Sequence, residues 1–197
     1  MSDVPIVVRP ISEERIEDRL ELCWGGVDGW RDRDVVAESR TWLENANRAF
    51  SPTTFIAYRD GDADPVGMIE FLPASLIDRF GLVPCRTAPE RACWSSDPAA
   101  VDTAENAIFL ACLWVDSDAQ REGVGRTLLT HLLESDVVRD YDGIYTYVTE
   151  RDAEFVDPDA GVWWPVGPRE FYESFGFEAL RNLPDSPCVV LYRSLEP

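Results

Sequence analysis

The stretch Asp118-Ala119-Gln120-Arg121-Glu122-Gly123-Val124-Gly125-Arg126-Thr127 combines a pair of glycines, a pair of arginines and the start of an apolar helical repeat. Gly123 and Gly125 carry no Cβ to hold a ligand away from the backbone amides. A helix beginning near Val124 adds N–H groups of partial positive charge. Arg121 and Arg126 can contribute charge-assisted hydrogen bonds. The pattern is that of an anion cradle suited to phosphate oxygens. A helix start that merely needs close packing is the plainer alternative. A dinucleotide fingerprint fits less well, because the third glycine and the early βαβ unit are both missing.

Carboxylates offer a second kind of chemistry. Glu70 shares the alternating face of Val66, Met68 and Leu72 in an otherwise apolar run. A carboxyl in apolar surroundings makes a better base than one in water; a carboxylate at a strand edge in solvent is the competing reading. Asp116 and Glu150 are alternative bases, and His131 reads as structural. Trp24, Trp30, Trp163 and Trp164 could wall a pocket for an apolar or cationic group, or simply be packed. Cys85 and Cys93 have no further ligand types close by in sequence, so unpaired thiols and no metal are expected.

These groups need elements to place them. Val4 to Arg9 reads as a first strand, and Ser12 as the cap of a helix carrying Ile16, Leu20, Cys23 and Trp24. Asp34 caps a second helix with Val36, Leu43, Ala46 and Phe50 at helical spacing. Thr54 to Tyr58 and Val66 to Leu72 form strands joined through Asp60-Gly61, a hairpin signal. Pro73 to Glu105 reads as a long irregular insertion. Ala107 to Val115 is a buried central strand, and Leu128, Leu129, Leu132 and Leu133 stripe the helix after it. Ile144 to Thr149 is a fifth strand, Pro168 opens a short helix that Gly176 ends, and Phe177 to Leu180 with Cys188 to Tyr192 make a closing hairpin.

Composition removes several functions. The 197 residues carry 37 acidic and 18 basic side chains, a net charge of −19, and every basic one is arginine. With no basic stripe, nucleic acid is not an expected partner. The absence of lysine excludes Schiff-base catalysis and the Gly-Lys-Ser/Thr phosphate loop. A single histidine cannot build a multi-histidine metal centre. An odd set of five cysteines without a CxxC pair, and no signal-like start, point to the cytoplasm. The longest uncharged apolar run, Ala107 to Val115, is far short of the roughly 20 residues of a membrane span.

With its position between a buried strand and an amphipathic helix, the glycine turn resembles the acetyl-CoA motif of the GNAT superfamily of N-acetyltransferases, Gln/Arg-x-x-Gly-x-Gly/Ala. Gln120, Gly123 and Gly125 match it, and Phe171-Tyr172-Glu173-Ser174-Phe175-Gly176-Phe177 is similar to the family's late Tyr-x-x-x-Gly-Phe segment. The resemblance covers Val4 to Tyr192 and departs from the family in the length of the insertion. It implies one domain over 1–197 with an insertion at about 73–105, of mixed α/β (α+β) class. Its central sheet would have six to seven mostly antiparallel strands, flanked by about four helices and splayed between strands four and five.

The resemblance further implies direct acetyl transfer from acetyl-CoA, as co-substrate, to a primary amine of a small molecule or peptide. Gln120, Arg121, Glu122, Gly123, Val124, Gly125, Arg126 and Thr127 would hold the pyrophosphate, and Leu113, Trp114 and Val115 the pantetheine. A backbone N–H near Trp114 or Val115 would polarise the thioester. Tyr172 would be the acid, since a phenol keeps its proton at neutral pH, and Glu70 is our first choice of base. The alternative function is a non-catalytic acyl-CoA sensor or interaction module; assembly as a homodimer stays open. The acidity suggests a halophilic host, because salt at about 1 M shortens the Debye length to about 3 Å from about 10 Å at 0.1 M. High-GC coding is the rival explanation of the missing lysine. Thermal unfolding followed in a salt series should shift to higher temperature as salt rises; indifference to salt would remove the halophilic reading.

Overall fold

The apolar runs assemble, in a computed structural model that describes residues 4–80, 106–149, 169–182 and 188–195, around one sheet. Its strands are β1 (Ile6–Pro10), β2 (Thr54–Arg59), β3 (Pro65–Pro73), β4 (Ala107–Val115), β5 (Gly143–Thr149), β6 (Glu178–Asn182) and β7 (Cys188–Ser194). The helices are α1 (Ile16–Trp24), α2 (Asp34–Ala49), α3 (Ala74–Phe80), α4 (Val124–Glu134) and α5 (Arg169–Glu173). The strand order is β1-β2-β3-β4-β5-β7-β6, antiparallel throughout except for the parallel β4–β5 pair. This is the expected mixed α+β sheet.

Helix α4 is seated by its stripe. Val124, Leu128, Leu129 and Leu132 are buried against Phe55, Ile69, Phe71, Ile108 and Ile144 of the sheet. Each buried leucine contributes about 1.5–3 kcal/mol. On the opposite face, α1 and α2 share a cluster of Leu20, Trp24, Trp30, Val36 and Leu43. A third cluster puts Ala74 of α3 with Phe109, Tyr145, Tyr147 and Val190, and Trp42 Nε1 donates to the Phe80 carbonyl at 3.0 Å to tie α2 to α3.

Several local expectations are corrected. Ser12 makes no capping bond to backbone; it precedes a short 3-10 turn, and its hydroxyl accepts from Arg15. Asp34 is the first residue of α2, with Arg33 in the capping position. The segment after Pro73 opens with α3, whereas residues 81–105 of the expected insertion lie outside the described residues. The Asp60-Gly61 turn forms as read, with Gly61 at φ +87°.

Where β3 passes under α4, the approach is too close for a side chain. A Cβ on Gly67 would sit 2.9 Å from the Trp114 carbonyl oxygen and 2.9 Å from Val124 Cγ1. Gly67→Ala should therefore destabilise the protein by about 1–3 kcal/mol in urea unfolding, despite alanine's lower backbone entropy cost; a neutral or stabilising result would contradict this packing.

Candidate functional site

The parallel β4–β5 ladder is short. It pairs Ala107 with Gly143, Ile108 with Ile144 and Phe109 with Tyr145, and then stops. At the next step a side chain replaces the main chain: Thr146 Oγ1 donates to the Leu110 carbonyl at 3.0 Å. Beyond it β4 continues to Val115 with its other edge still bonded to β3. The β3–β4 register slips at the same place, with Glu70 opposite Cys112 but Phe71 opposite Leu110. An extra residue of this kind bends a strand and re-aims the side chains beyond it. The edge of β4 from Ala111 to Val115 is thus left without a β5 partner.

The glycine turn lies at the far end of that open edge. Asp116 accepts from the Asp118 N–H at 2.9 Å, closing a 3-10 turn over Ser117–Ala119. Arg121 and Gly123 come next with φ +68° and +84°; the second requires glycine's freedom most, since it is the residue from which α4 departs. The first bond of the helix joins Thr127 N–H to the Gly123 carbonyl at 2.9 Å. The preceding amides of Val124, Gly125 and Arg126 are left at the helix start, with the partial positive charge that anions seek. Gln120 is exposed, its Nε2 donating to the Val115 carbonyl at 3.3 Å.

Glu122 has a structural task. Arg59, at the end of β2, donates to Glu122 Oε2 from Nη2 at 3.0 Å and to the Asp118 carbonyl at 3.2 Å, tying both ends of the turn to the sheet. Sequence reading missed Arg59. Arg126 rests its guanidinium 5.1 Å from the centre of the Phe175 ring, and Arg121 is exposed, with no ion pair among the described residues. Three segments singled out in the sequence meet at Gly125: a Cβ there would lie 3.6 Å from Val115, 3.8 Å from Phe171 and 3.9 Å from Leu113. Glycine keeps side-chain bulk out of that junction, beside the β4 edge that β5 does not reach, a shape and charge that fit a long ligand with a phosphate end.

Tyr172 stands next in α5 and is fully buried, edge-on to Phe171 at 5.2 Å and Phe177 at 5.5 Å. Glu70 is also fully buried, on the α1 face of the sheet, where Arg19 Nε donates to its Oε2 at 3.0 Å. The surface-carboxylate alternative is thereby excluded. Arg19 was missed, although it sits on the buried stripe Ile16, Arg19, Leu20, Trp24; a charge on such a stripe demands a buried partner. Asp116 is occupied in capping, and His131 is exposed against the Phe55 ring at 4.6 Å. Trp24 and Trp30 are buried in the α1–α2 cluster and line no open wall. Glu150, Trp163, Trp164, Cys85 and Cys93 lie outside the described residues. No group of three metal-ligating side chains occurs among the described residues, and no described helix is long and apolar enough to cross a membrane.

Comparison with known proteins agrees with this geometry. The family model described as Acetyltransferase (GNAT) family matches residues 14–177. The fold is similar to the PaiA N-acetyltransferase of Thermoplasma acidophilum solved in complex with coenzyme A, at 14% identity and a TM-score of 0.57 over 96% of this chain and 99% of that one. It is also similar to an acetyltransferase of Thermus thermophilus, at 14% identity and a TM-score of 0.56 over 98% and 99%. A chain of the NatC complex bound to Gag peptide and CoA gives 16% identity and a TM-score of 0.54 over 97% and 99%. No curated protein sequence matches significantly. With a seven-stranded sheet parted between β4 and β5, a glycine turn at the parted end and a family match over most of its length, the chain belongs to the GNAT family of acetyltransferases, whose co-substrate is acetyl-CoA.

Proposed function

We propose that this protein transfers the acetyl group of acetyl-CoA directly to a primary amine of a small molecule or a peptide. The observation that carries the reading is the junction at Gly125, where the open edge of β4, the amides opening α4 and the aromatic face of α5 converge. The relatives solved with CoA, one with a peptide as well, support the same class of reaction.

Acetyl-CoA supplies an acetyl group already activated as a thioester. The chain's part is to bind, orient and move protons. Residues Gln120 to Thr127 would take the pyrophosphate on backbone amides, with Arg121 adding charge. The β4 edge at Leu113, Trp114 and Val115, which the β5 ladder does not reach, would hold the pantetheine arm, one of its N–H groups stabilising negative charge on the carbonyl oxygen. Tyr172 would deliver a proton to the departing sulfur and Glu70 would receive one from the amine. A second reading, a domain that binds acyl-CoA without turnover, is favoured by the full burial of Tyr172 and the engagement of Glu70 by Arg19.

The readings separate in a calorimetric titration with acetyl-CoA, followed by thiol release with a panel of benzylamine, spermidine and alanyl-alanine. Binding with turnover supports the transferase; binding without turnover across the panel supports the sensor. Gly123→Val should weaken acetyl-CoA at least tenfold, because a β-branched residue at φ +84° costs about 1–2 kcal/mol or more and displaces the amides. Tyr172→Phe should lower kcat by about 10²–10⁴-fold with acetyl-CoA affinity unchanged; undiminished turnover would remove Tyr172 as the acid.

A further inference from the structure

The buried ion pair between α1 and β3 is built in a way that stability does not explain. Arg19 and Glu70 have side chains 1% exposed. They meet through a single bond, Nε to Oε2 at 3.0 Å, and not through the two-pronged contact a guanidinium can make with a carboxylate. Arg19 Nη1 and Glu70 Oε1 are both buried without a hydrogen-bond partner, as is Thr54 Oγ1. A buried pair left partly unsatisfied is no more stable than apolar side chains of the same volume, and buried orphan polar atoms call for a reason.

Register supplies one. Thr54 on β2 lies opposite Glu70 on β3, and Glu70 lies opposite Cys112 on β4. These residues form a row across the sheet that ends on β4 beyond the point where β5 has left it. Glu70 is therefore one strand inward from the open edge, with one oxygen held and the other uncommitted. The guanidinium is a permanent cation there: burial opposes its charge, but Cys23, the Glu70 carboxylate with its hydrogen bond, and Cys112 together raise it above its ordinary value.

We propose that Arg19 is the positioning residue for Glu70, fixing Oε2 so that Oε1 is presented as the proton acceptor of the transfer. The proposal rests on the assignment of Glu70 as base. Arg19 touches neither reactant; its effect passes through the carboxylate.

The test compares Arg19→Met, Arg19→Lys, Glu70→Gln and the double variant Arg19→Met/Glu70→Gln in kcat, KM, acetyl-CoA affinity and thermal unfolding, using whichever amine of the panel the wild type acetylates fastest. Arg19→Met should lose about 100-fold in kcat with acetyl-CoA affinity unchanged, as misplacement of a reacting group does. Arg19→Lys, which keeps the charge but not the planar fork, should fall between wild type and Arg19→Met. The double variant, with no charge left unpaired, should be no slower than Glu70→Gln. Arg19→Lys at wild-type kcat, or a double variant whose loss multiplies the single ones, overturns the positioning role even if Arg19→Met does not fold. Glu70→Gln at wild-type kcat instead overturns the base assignment beneath it, and a folded wild type that acetylates no amine of the panel overturns both.

Discussion

A strand in the middle of a sheet has hydrogen-bonding groups on both edges, and both sets must be answered. In this protein β4 is answered by β3 from Ile108 to Val115, apart from the bulge at Ala111, but by β5 only as far as Phe109. From Ala111 onward the edge of β4 turned away from β3 faces no strand among the described residues. Leaving such groups unsatisfied costs about 1–3 kcal/mol each, so the parting is stable only where a ligand or solvent can take the place of a strand. The rest of the molecule either creates that gap or guards it. Thr146 ends the ladder with a side-chain bond, the bulge opposite Glu70 turns β4, and α4 presents its amides where the gap ends.

The gap keeps its shape because each flank is anchored independently of the group that fills it. Helix α4 is held by its leucines and by the missing side chain at Gly67; the turn before it is held by Arg59; α5 is held by the burial of Tyr172 and Phe177 in the core shared with the sheet and α4. Pre-formed amides need little reorganisation when an anion arrives, which is how a fixed site gains affinity and rate. The α1 face is different in kind, since its single link to the sheet carboxylate is a buried charge pair set in an apolar stripe.

The features legible in the sequence were local. Strand runs such as Ala107 to Val115, the leucine spacing of α4 and the glycines of the turn each act over a few residues, so pattern alone places them. The glycine turn was singled out by that route, and the α5 aromatics through the family resemblance. Missed features act across distance: Arg19 reaches Glu70 across 51 positions, and Arg59 reaches Glu122 across 63. No period reports such pairs. Caps failed for another reason. Ser12 and Asp34 have the right chemistry, but the chain enters those helices through a 3-10 turn and through Arg33, so neither side chain meets the helix amides. Trp30 stayed open between pocket wall and core because a tryptophan beside glycines reads the same in either place, and the structure packs it in the core.

The central claim is that acetyl-CoA replaces the missing strand along β4 and caps α4, and hydrogen exchange of the backbone amides with and without acetyl-CoA tests it most directly. The account predicts slowed exchange confined to amides among Ala111 to Val115 and Gly123 to Arg126. Saturable binding that leaves both stretches exchanging as before would contradict it.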